Sequence, residues 1–118
     1  MAKAVIGAAI EVHRTLGPGL MESAYSRCFA HELTCRRIPF VQEAPVPVAY
    51  KNLRLDCGYR IDFLVDARLV VELKAVDRVL PIHHAQLLTY LKLLDANQGL
   101  LINFNVTKLM NGLKSFVS

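Results

Sequence analysis

Residues 60–75, Arg-Ile-Asp-Phe-Leu-Val-Asp-Ala-Arg-Leu-Val-Val-Glu-Leu-Lys-Ala, constrain the fold of this chain more than any other segment. Two β-rich runs, Leu53 to Val65 and Leu69 to Val76, flank Asp66-Ala67-Arg68, the pattern of a hairpin. Centred on Ala67, the hairpin sets Val65 opposite Leu69, Leu64 opposite Val70, Asp62 opposite Glu72 and Arg60 opposite Lys74. Period-two alternation then places Asp62, Glu72 and Lys74 on one face. Ile61, Phe63, Val71 and Leu73 fall on the other. A bulge would shift this register by one.

Directly opposed side chains have Cβ atoms about 5 Å apart, where like charges destabilise a sheet. Two carboxylates among apolar strands therefore require a cation, either a basic side chain or a metal. Mg²⁺ takes oxygen ligands, commonly a few carboxylates completed by water. At a phosphodiester such an ion polarises the phosphoryl group and acidifies a bound water. Lys74, on the same face, is placed to hold that water or to neutralise developing charge. The competing reading is a wet sheet face with Lys74 and Arg60 balancing the acids. Against it, the acids flank Leu64 and Val70, and helices must cover this sheet.

Helical periodicity runs from Ala4 to Leu16, breaks at Gly17-Pro18-Gly19, and resumes from Leu20 to Arg36. Met21, Ala24, Tyr25, Cys28, Phe29 and Cys35 form the apolar arc of the second helix, which Ile38-Pro39 ends. Phe40 to Tyr50, punctuated by Pro45 and Pro47, suits an edge strand. Pro81 opens a third helix to about Asp95, with Leu87, Leu88, Leu91 and Leu94 on one side. Gly99 to Phe104 reads as a buried strand. The tail from Val106 to Ser118 is ambiguous, with Lys114 to Val117 a candidate last strand. The order α-α-β-β-β-α-β predicts an α/β (α+β) fold: a mixed sheet flanked by helices, one domain over residues 1–118.

With 53% apolar and 20% charged residues, a packed core is expected rather than disorder. No apolar run reaches the roughly 20 residues of a membrane span, and the N-terminus reads as an amphipathic helix rather than a signal peptide. The net charge of +4 suits a polyanionic partner without demonstrating one. Cys28, Cys35 and Cys57 lack paired spacing. Cys28 and Cys35 are expected as buried, reduced core residues in a cytoplasmic protein.

At these residues the sequence resembles the PD-(D/E)XK nuclease superfamily, and within it the small bacterial GxxExxY proteins. Their naming motif stands here as Gly19-Leu-Met-Glu-Ser-Ala-Tyr25. The likeness spans nearly the whole chain. It takes in Ile6 to Leu20, Arg60-Ile-Asp-Phe-Leu-Val, Val71-Glu-Leu-Lys-Ala-Val, Ala85-Gln-Leu-Leu-Thr-Tyr-Leu-Lys and Gly99-Leu-Leu-Ile-Asn-Phe-Asn. The resemblance implies that Asp62 and Glu72 bind divalent metal, Mg²⁺ or Mn²⁺, and that Lys74 serves the attacking water. It matches Glu22 to an acid that completes the metal site, Gln86 to a site glutamine and Tyr90 to a tyrosine one turn later. The implied function is a nuclease cleaving DNA or RNA.

Each of these residues also has a plainer role. Glu22 suits a helix N-terminus for dipole reasons alone, although at 100° per residue it aligns with Phe29 and Leu33. Glu32 falls in the same arc. Gln86 and Tyr90 share a face with His83 beside the leucine stripe, where Tyr90 suits a core edge. His83 and His84 diverge by about 100° and make a poor chelating pair. His13 and His31 are expected at the surface. The alternative function is a catalytically silent nuclease-fold module that binds nucleic acid or a protein partner. An uncovered edge strand also leaves a homodimer open. A small-molecule enzyme finds no support, for want of a phosphate loop or nucleophile elbow.

Overall fold

The computed structural model describes residues 1–117; Ser118, the end of the ambiguous tail, lies outside them. Helices α1 (Ala2–Leu16) and α2 (Glu22–Cys35) precede strand β1 (Phe40–Pro45) and the short strands β2 (Val48–Tyr50) and β3 (Leu53–Leu55). Strands β4 (Arg60–Val65) and β5 (Leu69–Lys74), helix α3 (Pro81–Leu94) and strand β6 (Gln98–Asn103) follow. A 3₁₀ turn (Leu109–Gly112) and β7 (Leu113–Val117) close the chain. Five strands form one mixed sheet in the order β1-β4-β5-β6-β7, while β2 and β3 make a separate hairpin. Only β5 and β6 are parallel, as they must be with α3 carrying the chain back across the sheet.

Each helix is fixed by what it buries. Val5, Ala8, Ala9 and Val12 line the buried side of α1, at the spacing of one helical face. Tyr25, Phe29 and Leu33 do the same for α2. Both pack on one face of the sheet with Phe63, Val71, Leu73, Leu100, Ile102 and Phe104. Phe29 meets Phe63 edge to face at 4.9 Å, and Tyr25 stacks on Phe104 at 4.6 Å. Leu87, Tyr90 and Leu91 of α3 cover the opposite face with Val70, Leu101 and Ile61. Gly99 makes room for this helix, since a Cβ there would stand 3.2 Å from Leu87 and Leu91. The sheet is thus covered on both faces, as the mixed sheet flanked by helices predicts. Among the described residues no helix is long and apolar enough to cross a membrane.

Several expectations need correction. The run Phe40–Tyr50 is two strands, and Leu53–Val65 is also two, because the β2–β3 hairpin is set apart from the main sheet. Cys28 and Cys35 are exposed, as is Cys57; Met21 is exposed too, so the buried stripe of α2 is narrower than its apolar composition. His13 is buried at 8% exposure, and its Nε2 lies 2.7 Å from the Val106 carbonyl. Helix α2 ends through its own backbone. Left-handed Arg37 lets the Ile38 N–H donate to Leu33 and the Arg37 N–H to Thr34, the Schellman closure. The candidate last strand is present as β7.

Candidate active site

The hairpin turn lies at Asp66 and Ala67, both left-handed. The pairs Val65–Leu69, Leu64–Val70 and Phe63–Val71 hold the expected register. Beyond Phe63 the two strands part. Asp62 and Glu72 do not pair through their backbones; instead each carboxylate accepts a backbone N–H of the opposite strand. Leu73 N–H donates to Asp62 Oδ2 at 2.7 Å, and Asp62 N–H donates to Glu72 Oε1 at 2.8 Å. Arg60 does not face Lys74. It pairs with Pro45 of β1, whereas Lys74 pairs with Asn103 of β6.

The parting coincides with an irregularity in β1. Glu43, opposite Asp62, has a positive φ of 55° and is skipped in the ladder, which resumes at Ala44–Ile61. The residues on either side of Glu43 and of Asp62 fall on opposite faces of the sheet. Gln42 and Phe63 face the α1–α2 side, whereas Ala44 and Ile61 join the α3 core. Ile61 is therefore not on the face of Phe63, contrary to simple alternation. At this switch a notch opens between β4 and β5 into which Asp62 and Glu72 turn.

The other acids gather at this notch. Glu22 opens α2, held there by the turn before it. Gly17 and Gly19 have positive φ, and the Tyr25 hydroxyl donates to the Gly17 carbonyl at 2.6 Å while accepting the Leu20 N–H at 3.1 Å. Burial pushes the Glu22 carboxyl up, Asp62 and Glu43 push it further, and Lys74 opposes them. Asp62 is also raised, chiefly by burial, against the Leu73 N–H, with Glu43 adding to the rise and Lys74 opposing it. Glu72, 8% exposed, is shifted most, from 4.5 to about 8. Desolvation is the main cause and Asp62 the second; the Asp62 N–H, and then Lys74, pull the other way. The ion pairs among the described residues, Glu11–Arg14, Glu32–Arg36, Asp56–Arg60 and Asp66–Arg68, all lie elsewhere. Lys74 is the one cation whose charge bears on all three of Glu22, Asp62 and Glu72.

Helix α3 supplies the far wall. Tyr90 is buried, and its hydroxyl is raised first by desolvation and then by Glu72, with Gln86 partly offsetting this. Gln86 is exposed one turn earlier and lines a cleft with Tyr90. His83 does not face the acids; its Nδ1 accepts the Leu80 N–H at the start of α3. His84 packs on Phe116. The structure thus brings Glu22, Asp62, Glu72 and Lys74 into one electrostatic neighbourhood and sets Gln86 at its rim. Glu43 belongs to that neighbourhood as well. The sequence carries no signal for it beyond an acid in a strand, because its place depends on the left-handed backbone at that residue.

The donors are hard carboxylate oxygens, the kind that suits Mg²⁺ or Mn²⁺. Among the described residues no three His, Cys, Asp or Glu side chains are grouped closely enough to enclose an ion. The donors present therefore fit a hydrated ion held by the Asp62–Glu72 pair, since Mg²⁺ is commonly held by one or two carboxylates with water completing its octahedron.

No match to the chain was found among curated proteins or solved structures. A family model described as the PD-(D/E)XK nuclease superfamily matches residues 1–116, a span that holds both strands of the notch and all three helices around it. On that match the chain belongs to the PD-(D/E)XK nuclease superfamily.

Proposed function

We propose that this protein is a metal-dependent nuclease of the GxxExxY kind, hydrolysing a phosphodiester bond of DNA or RNA. The observation that carries this reading is the pair of sutures between β4 and β5. Asn and Gln would accept the same two N–H groups without bringing charge into a desolvated notch. Burying carboxylates there costs stability unless a cation joins them, so the acids serve something beyond the suture.

In this reading Asp62 and Glu72 would hold Mg²⁺ or Mn²⁺, with the Glu22 carboxylate adding negative charge beside them. The ion supplies charge stabilisation at the phosphoryl group and a more acidic water. Lys74, two residues beyond Glu72 on the same side of β5, holds the attacking water by its ammonium group and offsets the charge that develops. Gln86 reaches the phosphate from the rim, and buried Tyr90 shields the Glu72 side from solvent. The exposed free cysteines, Cys28, Cys35 and Cys57, suit a reducing, cytoplasmic compartment.

Supercoiled plasmid and a single-stranded oligonucleotide, incubated with Mg²⁺ or Mn²⁺, test the reading directly. Wild type is expected to cleave at least one of them, with the rate falling on the order of a hundredfold or more in Asp62→Ala. Calorimetric titration of Mg²⁺ should give heat with wild type and none with Asp62→Asn. Equal inertness of wild type and Asp62→Ala would leave only the silent binding module, whose affinity falls with salt and ignores both metal and Glu72→Ala.

A further inference from the structure

Beside the notch lies a second, differently built feature. A cavity of about 540 Å³ opens between the β2–β3 hairpin and the outer face of α3, within the size range of ligand sites. Its walls are Val48 and Tyr59 on the hairpin side and Ile82 and Leu93 on the helix side, with Gln86 and Tyr90 at the end nearest the acids. Tyr59 is 48% exposed and Ile82 66% exposed. Tyr59 sits at the neck of the hairpin, where its carbonyl accepts the Val46 N–H at 2.9 Å. Its ring centroid is 6.4 Å from that of Tyr90 and inclined by 52°, so the two rings do not stack and a face of Tyr59 stays available.

We propose that this cleft takes an unstacked base of a single-stranded nucleic acid, so that the protein selects single strands at its nuclease site. The inference rests on the nuclease reading above and names its substrate class. Three observations carry it. The cleft ends beside the acids: Tyr90 lines it with Gln86, and the Tyr90 hydroxyl lies within electrostatic reach of Glu72 and Asp62. Around the β2–β3 hairpin stand Lys51 and Arg54, with Arg60 paired to Asp56 at 3.7 Å, a basic flank complementary to a phosphate backbone. The interior is apolar and aromatic, the surface on which bases stack without sequence preference. A paired base cannot enter, because it is already stacked and bonded in the duplex.

The test measures binding apart from cleavage, by fluorescence anisotropy in EDTA on a Glu72→Gln background. Labelled single-stranded DNA, its duplex, the same sequence as RNA, and a strand with one abasic position are compared. Single-stranded DNA and RNA are expected to bind about tenfold or more tighter than duplex, and Tyr59→Ala to weaken both about tenfold, in keeping with base–aromatic stacking. Tyr59→Phe should restore the affinity, and the abasic strand should lose no more in Tyr59→Ala than in the parent. Ile82→Glu, a change at an exposed site on the opposite wall, should weaken single-strand binding by a similar factor. Duplex bound as tightly as single strands would overturn the proposal, as would Tyr59→Ala and Ile82→Glu both binding like the parent. Sedimentation showing a dimer that Ile82→Glu dissociates would assign the cleft to a second copy and overturn it equally. Because cleavage by wild type against Asp62→Ala is read separately, loss of the nuclease reading and loss of the base site remain distinguishable.

Discussion

Glu72 is the residue whose energetics are most exposed to test. Its carboxyl titrates near 8 in the fold against 4.5 for a free glutamate. Between those values the native state therefore holds a proton that the unfolded chain has released. Stability must fall as pH rises wherever the native state binds more protons. The metal-free protein should thus be most stable below about pH 4.5 as far as this group is concerned, and lose that contribution progressively up to pH 8. With each pK unit worth about 1.4 kcal/mol, the loss amounts to a few kcal/mol. Glu72→Gln keeps an acceptor for the Asp62 N–H and removes the charge. It should flatten the pH dependence and raise the melting temperature at pH 8, while abolishing cleavage. Calorimetric melts in EDTA from pH 5 to 9 check this. A wild-type melting temperature that rises across that range, or a Gln variant that melts lower at pH 8, would show that Glu72 is comfortably ionised in the fold. Such a gain in stability bought by losing function is the usual trade at a strained site.

The placement of Lys74 depends on how β5 ends. Beyond Lys74 the chain is clamped by β6: Asn103, 4% exposed, accepts the Val76 N–H at 3.1 Å and donates to the Val76 carbonyl at 2.9 Å. The Phe104 N–H donates to the Lys74 carbonyl at 2.9 Å. Asn103→Ala removes both side-chain partners of Val76 and should cost about 2 kcal/mol, read as a lower denaturant midpoint with an unchanged m-value. Cleavage should fall through loss of Lys74 position, with Mg²⁺ affinity at Asp62 and Glu72 nearly kept. A wild-type midpoint would show that the clamp carries no stability. Nothing in the sequence singles out Asn103, because its role depends on the parallel pairing of β5 with β6. By contrast, α1, α2, α3 and the Phe63–Val71 register were legible, since one-sided apolar periodicity and a turn between two apolar runs report burial directly. The cysteines misled because their spacing on α2 matches a helical face while Tyr25, Phe29 and Leu33 already fill the contact with the sheet. Ile61 misled for a different reason: alternation assumes that both strands of a pair stay regular, and at Asp62, opposite left-handed Glu43, the faces switch.

Taken together, the layers leave the molecule with a divided surface. The chain carries fourteen Lys and Arg against ten acids, and four of those acids, Glu22, Glu43, Asp62 and Glu72, stand at one notch. The remainder of the surface is therefore more basic than the net charge of +4 suggests. On the proposed function, a phosphate backbone would be drawn to the molecule at large but repelled at the notch until a cation enters it. Binding of a single strand to wild type should accordingly tighten when Mg²⁺ is added, whereas in Glu72→Gln the metal should matter less. Salt separates the two contributions. If Lys51, Arg54 and Arg60 each neutralise one phosphate, the logarithm of affinity should fall with a slope near 2 against the logarithm of salt. That is a loss of about 20-fold between 50 and 200 mM. Substituting any one of the three by Gln should reduce the slope by about 0.7 without changing the preference for single strands, because phosphate contacts position a strand and do not discriminate its bases. An affinity indifferent to salt, or a slope that none of the three substitutions lowers, would place the strand away from the hairpin rim and send it across some other basic face of the sheet.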